Sequence, residues 1–146
     1  MDSNWKQSFV EKLNRAQSQW TSKFTEVMES QVSETFEDIR RFVQDNGFAA
    51  STPLREDSRR SFKFELAENA YLLMIFRSVG VGEFEVRSES FVPGRDAKLA
   101  KMRCRLVDVD EAWARDQFQA ALDAFVAHLA DETAGAPEVN EELVLV

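Results

Sequence analysis

The chain predicts an α+β domain: a four-stranded antiparallel sheet with a long N-terminal helix and a C-terminal helix packed on it. Three observations carry this. Apolar residues recur at helical spacing over roughly the first 46 positions, they alternate with charged residues between 61 and 106, and a second helical stripe follows an acidic start signal near Asp108. With 146 residues, 44% of them hydrophobic and 30% charged, one domain with a buried core is expected.

The first element, within residues 1–47, carries Trp5, Phe9, Leu13, Ala16, Trp20, Phe24 and Val27, then Val32, Phe36, Ile39 and Val43, on one helical face. Gly47 follows Asp45 and Asn46 as a C-terminal stop able to adopt the left-handed conformation, with Phe48 folding back on the last turn. Such a helix would run about 60 Å, about twice the width of a compact domain of this size. Two outcomes are open: the helix breaks near residues 30–33 with Ser30 or Ser33 as a new N-cap, or its first half projects from the body.

Residues 48–60 contain Pro53 and show no period, so they predict a connector. Residues 61–132 hold the sheet and the last helix. Phe62, Phe64 and Leu66 alternate with Lys63 and Glu65, and Phe84 and Val86 alternate with Glu83, Glu85 and Arg87. Between them, Ala70 to Phe76 is apolar at odd and even positions, which predicts an inner strand that needs cover on both faces. Gly80 and Gly82 supply the next turn. In the last strand Ala100, Met102, Cys104 and Leu106 alternate with Lys101, Arg103 and Arg105; residues 95–106 also have high helix propensity, and strict alternation decides for strand. Its basic residues are expected opposite Glu83, Glu85 and Glu89 as cross-strand ion pairs rather than as a phosphate site.

Asp108 or Asp110 is expected to cap the final helix, with Glu111 three residues after Asp108 in capping-box position. Ala114, Phe118, Ala121, Leu122, Phe125, Val126 and Leu129 form its apolar stripe. Residues 133–146 read as an acidic tail, either loose or adding a short strand through Leu143 to Val146.

The formal net charge of −8 is unevenly spread: −2 over residues 1–46, +2 over 47–109 and −8 over 110–146. A pI of about 4.8 argues against nucleic-acid binding, which needs a basic face. The longest apolar run, Ala70 to Phe76, is far short of a membrane span. No basic segment leads into an apolar one at the N-terminus, and Cys104 alone excludes an internal disulfide, so a cytoplasmic setting is expected.

No catalytic constellation is visible, and neither a cofactor nor a metal is expected. Cys104 and His128 are the sole Cys–His pair, each with a stronger structural reading, as a small hydrophobe and as a helix-flank residue. One Cys and one His do not make a zinc site, and capping explains Asp108, Asp110 and Glu111. Gly80 and Gly82 precede a strand, not the helix a dinucleotide loop requires. Glu65 and Glu68 are near each other and carry nothing further.

Twelve Phe and three Trp against one Tyr suit dry burial. One sheet face accommodates about two helices, which the last helix and residues 32–43 would supply. Trp5, Phe9, Leu13, Trp20 and Phe24 then become surplus apolar surface, together with the outer face of the second predicted strand; they are the predicted partner-binding residues. The expected function is a small acidic protein-interaction module, of chaperone or adaptor type, that self-associates as a homodimer or holds a protein partner. In size, acidity and helix-plus-sheet build the chain is similar to small bacterial secretion chaperones, which dimerise and hold client segments. That likeness is one of class, without a shared motif, and the order here lacks the helix those chaperones insert between sheet strands. An immunity or antitoxin protein fits the acidity as well. A ligand-binding protein or enzyme in which the sheet wraps a helix is the alternative, predicting an apolar cavity lined by Tyr71, Met74, Phe84 and Met102. A third reading places residues 1–25 on a membrane surface, because Lys6, Lys12, Arg15 and Lys23 stand opposite the aromatic stripe.

Overall fold

The computed structural model describes residues 2–130. Helix α1 (Ser3–Val27) starts at Asp2, whose carboxylate accepts the Asn4 N–H at 2.9 Å, and runs through a π-helical stretch, Met28–Ser33, into α2 (Glu34–Gln44). The expected alternative of a break near residues 30–33 is therefore not taken. Ser30 caps nothing; its hydroxyl donates back to the Glu26 carbonyl at 2.8 Å. The π turn has a sequence cause. Phe24, Met28, Val32 and Phe36 are all buried and spaced by four, so each step overshoots a 3.6-residue turn by about 40°. A wider turn absorbs that overshoot and keeps the set facing inward.

Gly47 ends the helix with φ +90°, as its position predicts. The next residues correct the expected connector. Phe48–Ser51 form strand β1 and Arg55–Glu56 a two-residue strand β2, both paired antiparallel with β3 (Arg59–Leu66). Strands β4 (Ala70–Val79), β5 (Glu83–Phe91) and β6 (Lys98–Arg105) continue an antiparallel meander, in the order β1-β3-β4-β5-β6. The sheet thus has five main strands and the short β2, not four. The second predicted strand, now β4, is inner as expected, and residues 98–105 are strand rather than helix.

A 3₁₀ turn, Leu106–Asp108, leads to α3 (Glu111–Ala130). Asp110 rather than Asp108 caps it, accepting the Trp113 N–H at 2.8 Å, while Asp108 binds the Arg105 guanidinium at 3.1 Å. Helix α3 covers the inner face of β4 and β5, beside the π turn and α2, which lies over β1. Its buried stripe is Ala114, Phe118, Phe125 and His128; Val126, expected on that stripe, is exposed.

Phenylalanines fill the layer between. Phe118 lies 5.3 Å from Phe62, 5.9 Å from Phe36, and 6.2 Å from both Phe64 and Phe76, ring centre to ring centre. Trp113 closes one end, edge-on to Phe84 at 5.6 Å. These rings need no hydrogen-bond partners, so they pack into the dry interior beside Met28, Val32, Leu72 and Met74.

Candidate interaction surfaces

Three surfaces are left uncovered among the described residues. The first is the leading part of α1. From Ser3 to Trp20 nearly every residue is exposed, and Trp5, Phe9, Leu13 and Trp20 retain 52, 50, 43 and 37% of their surface. This segment extends about 27 Å at 1.5 Å per residue. The helix reaches the body near Trp20, which lies against the β4–β5 turn: a Cβ on Gly82 would come within 3.3 Å of its ring. Of the five predicted partner-binding residues, Phe24 is misassigned. It is fully buried, 6.2 Å from Phe84, because α1 has met the sheet by that turn. Trp5 and Phe9 stack on each other at 5.2 Å, a local contact that still leaves half of each ring in water.

The second surface is the outer face of the sheet. Tyr71, Leu73 and Ile75 of β4 lie there half-buried, with Phe91 stacked on Tyr71 at 5.4 Å and the Lys63 ammonium 5.0 Å from the Tyr71 ring centre. A depression of about 460 Å³ runs beside Leu73, Ile75 and Leu99. Charge surrounds this apolar strip. Glu85, itself buried, accepts from Arg87 at 3.0 Å and Arg77 at 3.3 Å, with the Lys101 ammonium at 3.7 Å. Burial pushes the Glu85 carboxyl up, but the Arg77 hydrogen bond and the charges of Arg87, Arg77 and Lys101 outweigh it and hold it below the ordinary carboxylate range. Of the expected cross-strand pairs, Arg103 binds Glu83 at 2.9 Å, whereas Glu89 faces Leu99 and has no base opposite it.

The third surface is a groove of about 280 Å³ on the inner face, between α3 and β6. It exists because α3 packs on β4 and β5 and leaves the last strand unroofed. Leu72, Met74, Val86 and Met102 form its floor, Ala120, Ala121 and Ala124 of α3 its wall, and Lys98 and Lys101 its rim. The expected cavity of Tyr71, Met74, Phe84 and Met102 is corrected here. Met74 and Met102 do share the groove, but Phe84 is sealed under Trp113 and Tyr71 points to the opposite face, since adjacent residues of a strand alternate sides.

His128 is buried at the end of α3, with Nδ1 2.8 Å from the Ser90 hydroxyl and Nε2 3.1 Å from the Asp96 carbonyl. The carbonyl can only accept, so the Nε2 proton is donated to it. Arg95 donates to the carbonyls of His128 and Leu129 in the last turn of α3. Cys104 lies six residues along β6 from Lys98, the strand partner of Ser90, about 20 Å from the histidine at 3.3 Å per residue. The two therefore form no dyad. Burial, with the nearby Asp108 charge, pushes the Cys104 thiol up, away from a reactive thiolate. At the other end of the sheet Glu29 binds Arg55 at 2.7 Å and the buried Arg60 at 3.2 Å; burial raises its carboxyl and these two partners bring it below the ordinary range. Among the described residues no group of three or more His, Cys, Asp or Glu could hold a metal, and no helix is long and apolar enough to cross a membrane.

Comparison with known protein families, with curated proteins and with solved structures finds no match. Function therefore rests on the surfaces themselves.

Proposed function

We propose that the protein is an interaction module of the chaperone or adaptor kind, and that the projecting part of α1 pairs antiparallel with α1 of a second copy. The observation that carries this is the half-exposed row of Trp5, Phe9 and Leu13 on a helical arm that leads away from the sheet. Tryptophan and phenylalanine in such a row contribute little to the stability of a monomer and much to an interface.

The arm is self-complementary. Its apolar positions 5, 9, 13, 16 and 20 step by four, four, three and four, a spacing that keeps the stripe along one side of a nearly straight helix. With a two-fold axis between residues 12 and 13, Trp5 meets Trp20, Phe9 meets the small Ala16, and the Leu13 side chains meet each other. The same register sets Asp2 against Lys23 and Glu11 beside Asn14 and Arg15.

Light scattering on the wild type and on Trp5→Ser/Phe9→Ser/Leu13→Ser tests this. The expected result is a dimer at roughly micromolar concentration, as usual for a specific interface, and a folded monomer for the variant. A wild type that is monomeric throughout would refute the reading. So would a monomer that binds anionic vesicles through the same residues, which would assign the stripe to a membrane surface.

A further inference from the structure

The arms alone make a small interface. The exposed parts of Trp5, Phe9, Leu13 and Trp20 amount to roughly 400 Å² per copy, taking about 150 to 250 Å² for a whole large side chain. Complete coverage in a pair would thus remove about 800 Å² of apolar surface from water. With the polar share of a homodimer interface added, that reaches only the lower limit of a specific dimer, about 1,200 Å². Further apolar surface in line with the stripe would bring the pair well inside that class.

The body offers such surface where the arm meets it. Trp20 lies on the β4–β5 turn, against Gly82. The Gly82 carbonyl accepts the Leu106 N–H at 2.9 Å, which ties that turn to the 3₁₀ turn Leu106–Asp108, and α1 touches the 3₁₀ turn as well. Three segments therefore converge on one joint, and each shows an apolar side chain to solvent. Trp20 is 37% exposed, Val81 beside Gly82 is 73% exposed, and Val107 beside Leu106 is 74% exposed. Single exposed valines are ordinary; two of them around a half-exposed tryptophan make a patch.

The antiparallel register names the occupant. It sets the partner's Trp5 level with Trp20, so the leading end of the partner's arm arrives at the joint. Helical Cα–Cβ bonds tilt toward the N-terminus, and Phe9 already leans back onto Trp5 in this way, at 5.2 Å. In an antiparallel pair that tilt carries the partner's Trp5 past Trp20 toward the body, not back along the arms. Resting on the arm pairing proposed above, we infer that Trp20, Val81 and Val107 form a collar that receives the partner's Trp5, once at each end of the two-fold pair. The collar also fixes the register. A slip of one four-residue step moves an arm by about 6 Å and takes the partner's Trp5 off it, whereas the stripe by itself offers apolar contacts in several registers.

Analytical ultracentrifugation over a dilution series tests this on the full chain, with the wild type, Val81→Lys/Val107→Lys and Val126→Lys. Val126 is 51% exposed toward the other end of α3 and serves as the control. The expected result is a dimer dissociation constant raised about tenfold or more by the collar variant and unchanged by Val126→Lys. All three side chains are exposed, so each variant should keep the circular dichroism of the wild type. Replacing Val81 by benzoylphenylalanine gives a second readout that does not depend on the lysines: irradiation should join it to residues 2–9 of a second copy. A dimer that is lost in Trp5→Ser/Phe9→Ser/Leu13→Ser but keeps its affinity in Val81→Lys/Val107→Lys would overturn the collar and leave the arm pairing standing. Crosslinks confined to one chain of a dimer would do the same. A wild type that is monomeric throughout would remove both.

Discussion

Phe118→Ala and Phe9→Ala remove the same side chain from two positions that the helical periodicity alone does not distinguish. Phe118 is fully enclosed, with four phenylalanine rings within 6.2 Å centre to centre. Truncating a buried phenylalanine costs about 3 to 5 kcal/mol, and several aromatic neighbours place this site toward the upper end. Against a total stability of about 5 to 15 kcal/mol that is a large fraction. The expected fall in Tm is roughly 15 °C, at about 3 to 5 °C per kcal/mol for a domain of this size. Phe9 is half in solvent on the arm, so its loss should stay within about 0.5 kcal/mol. Urea titrations followed by far-UV circular dichroism, at a protein concentration low enough to suppress mass-action stabilisation, measure both. A cost below about 1.5 kcal/mol for Phe118→Ala, or comparable costs for the two, would refute this account of the core and of the arm.

The geometry sets three further outcomes. Ala67 and Glu68 both have positive φ in the β3–β4 turn, +57° and +67°, so Glu68→Gly should stabilise the fold by about 0.5 kcal/mol, the relief of a left-handed non-glycine residue less the entropy of glycine; an equilibrium urea midpoint checks it. Gly82→Ala should destabilise by about 1 kcal/mol or more, because φ is +72° and the new methyl would press on Trp20, and the Trp20 fluorescence should shift with it. Glu29 and Glu85 are both held below their ordinary value of 4.5. Their contribution is therefore complete above that pH and is lost as the pH falls below it and through the folded-state values. Urea midpoints should drop on acidification from about pH 4.5, and less so in Glu85→Gln.

The elements themselves were readable because their causes are local. Helical spacing over about residues 3–46, alternation over 62–66, 83–87 and 100–106, and glycines at 47, 80 and 82 each act within a few residues. Strand β1 was not readable. Phe-Ala-Ala-Ser has neither the β-branched residues nor the alternation of a strand, and it becomes one because β3 offers a partner edge. The choice of Asp110 over Asp108 as cap is of the same kind, since Arg105 engages Asp108 first.

The candidate surfaces divide along the same line. Periodicity alone placed Trp5, Phe9, Leu13, Trp20 and Phe24 on one helical face, because side-chain direction along a helix depends only on position. Which of them meet water depended on where α1 touches the sheet: Phe24 lies past that point and Trp5 well short of it. The division of Tyr71, Met74, Phe84 and Met102 among two faces and a sealed core required strand register and the seat of α3 over β4 and β5. Local chemistry is encoded within a turn or a strand. A groove is the space left between elements far apart in sequence, and it takes the folded chain to decide where that space falls.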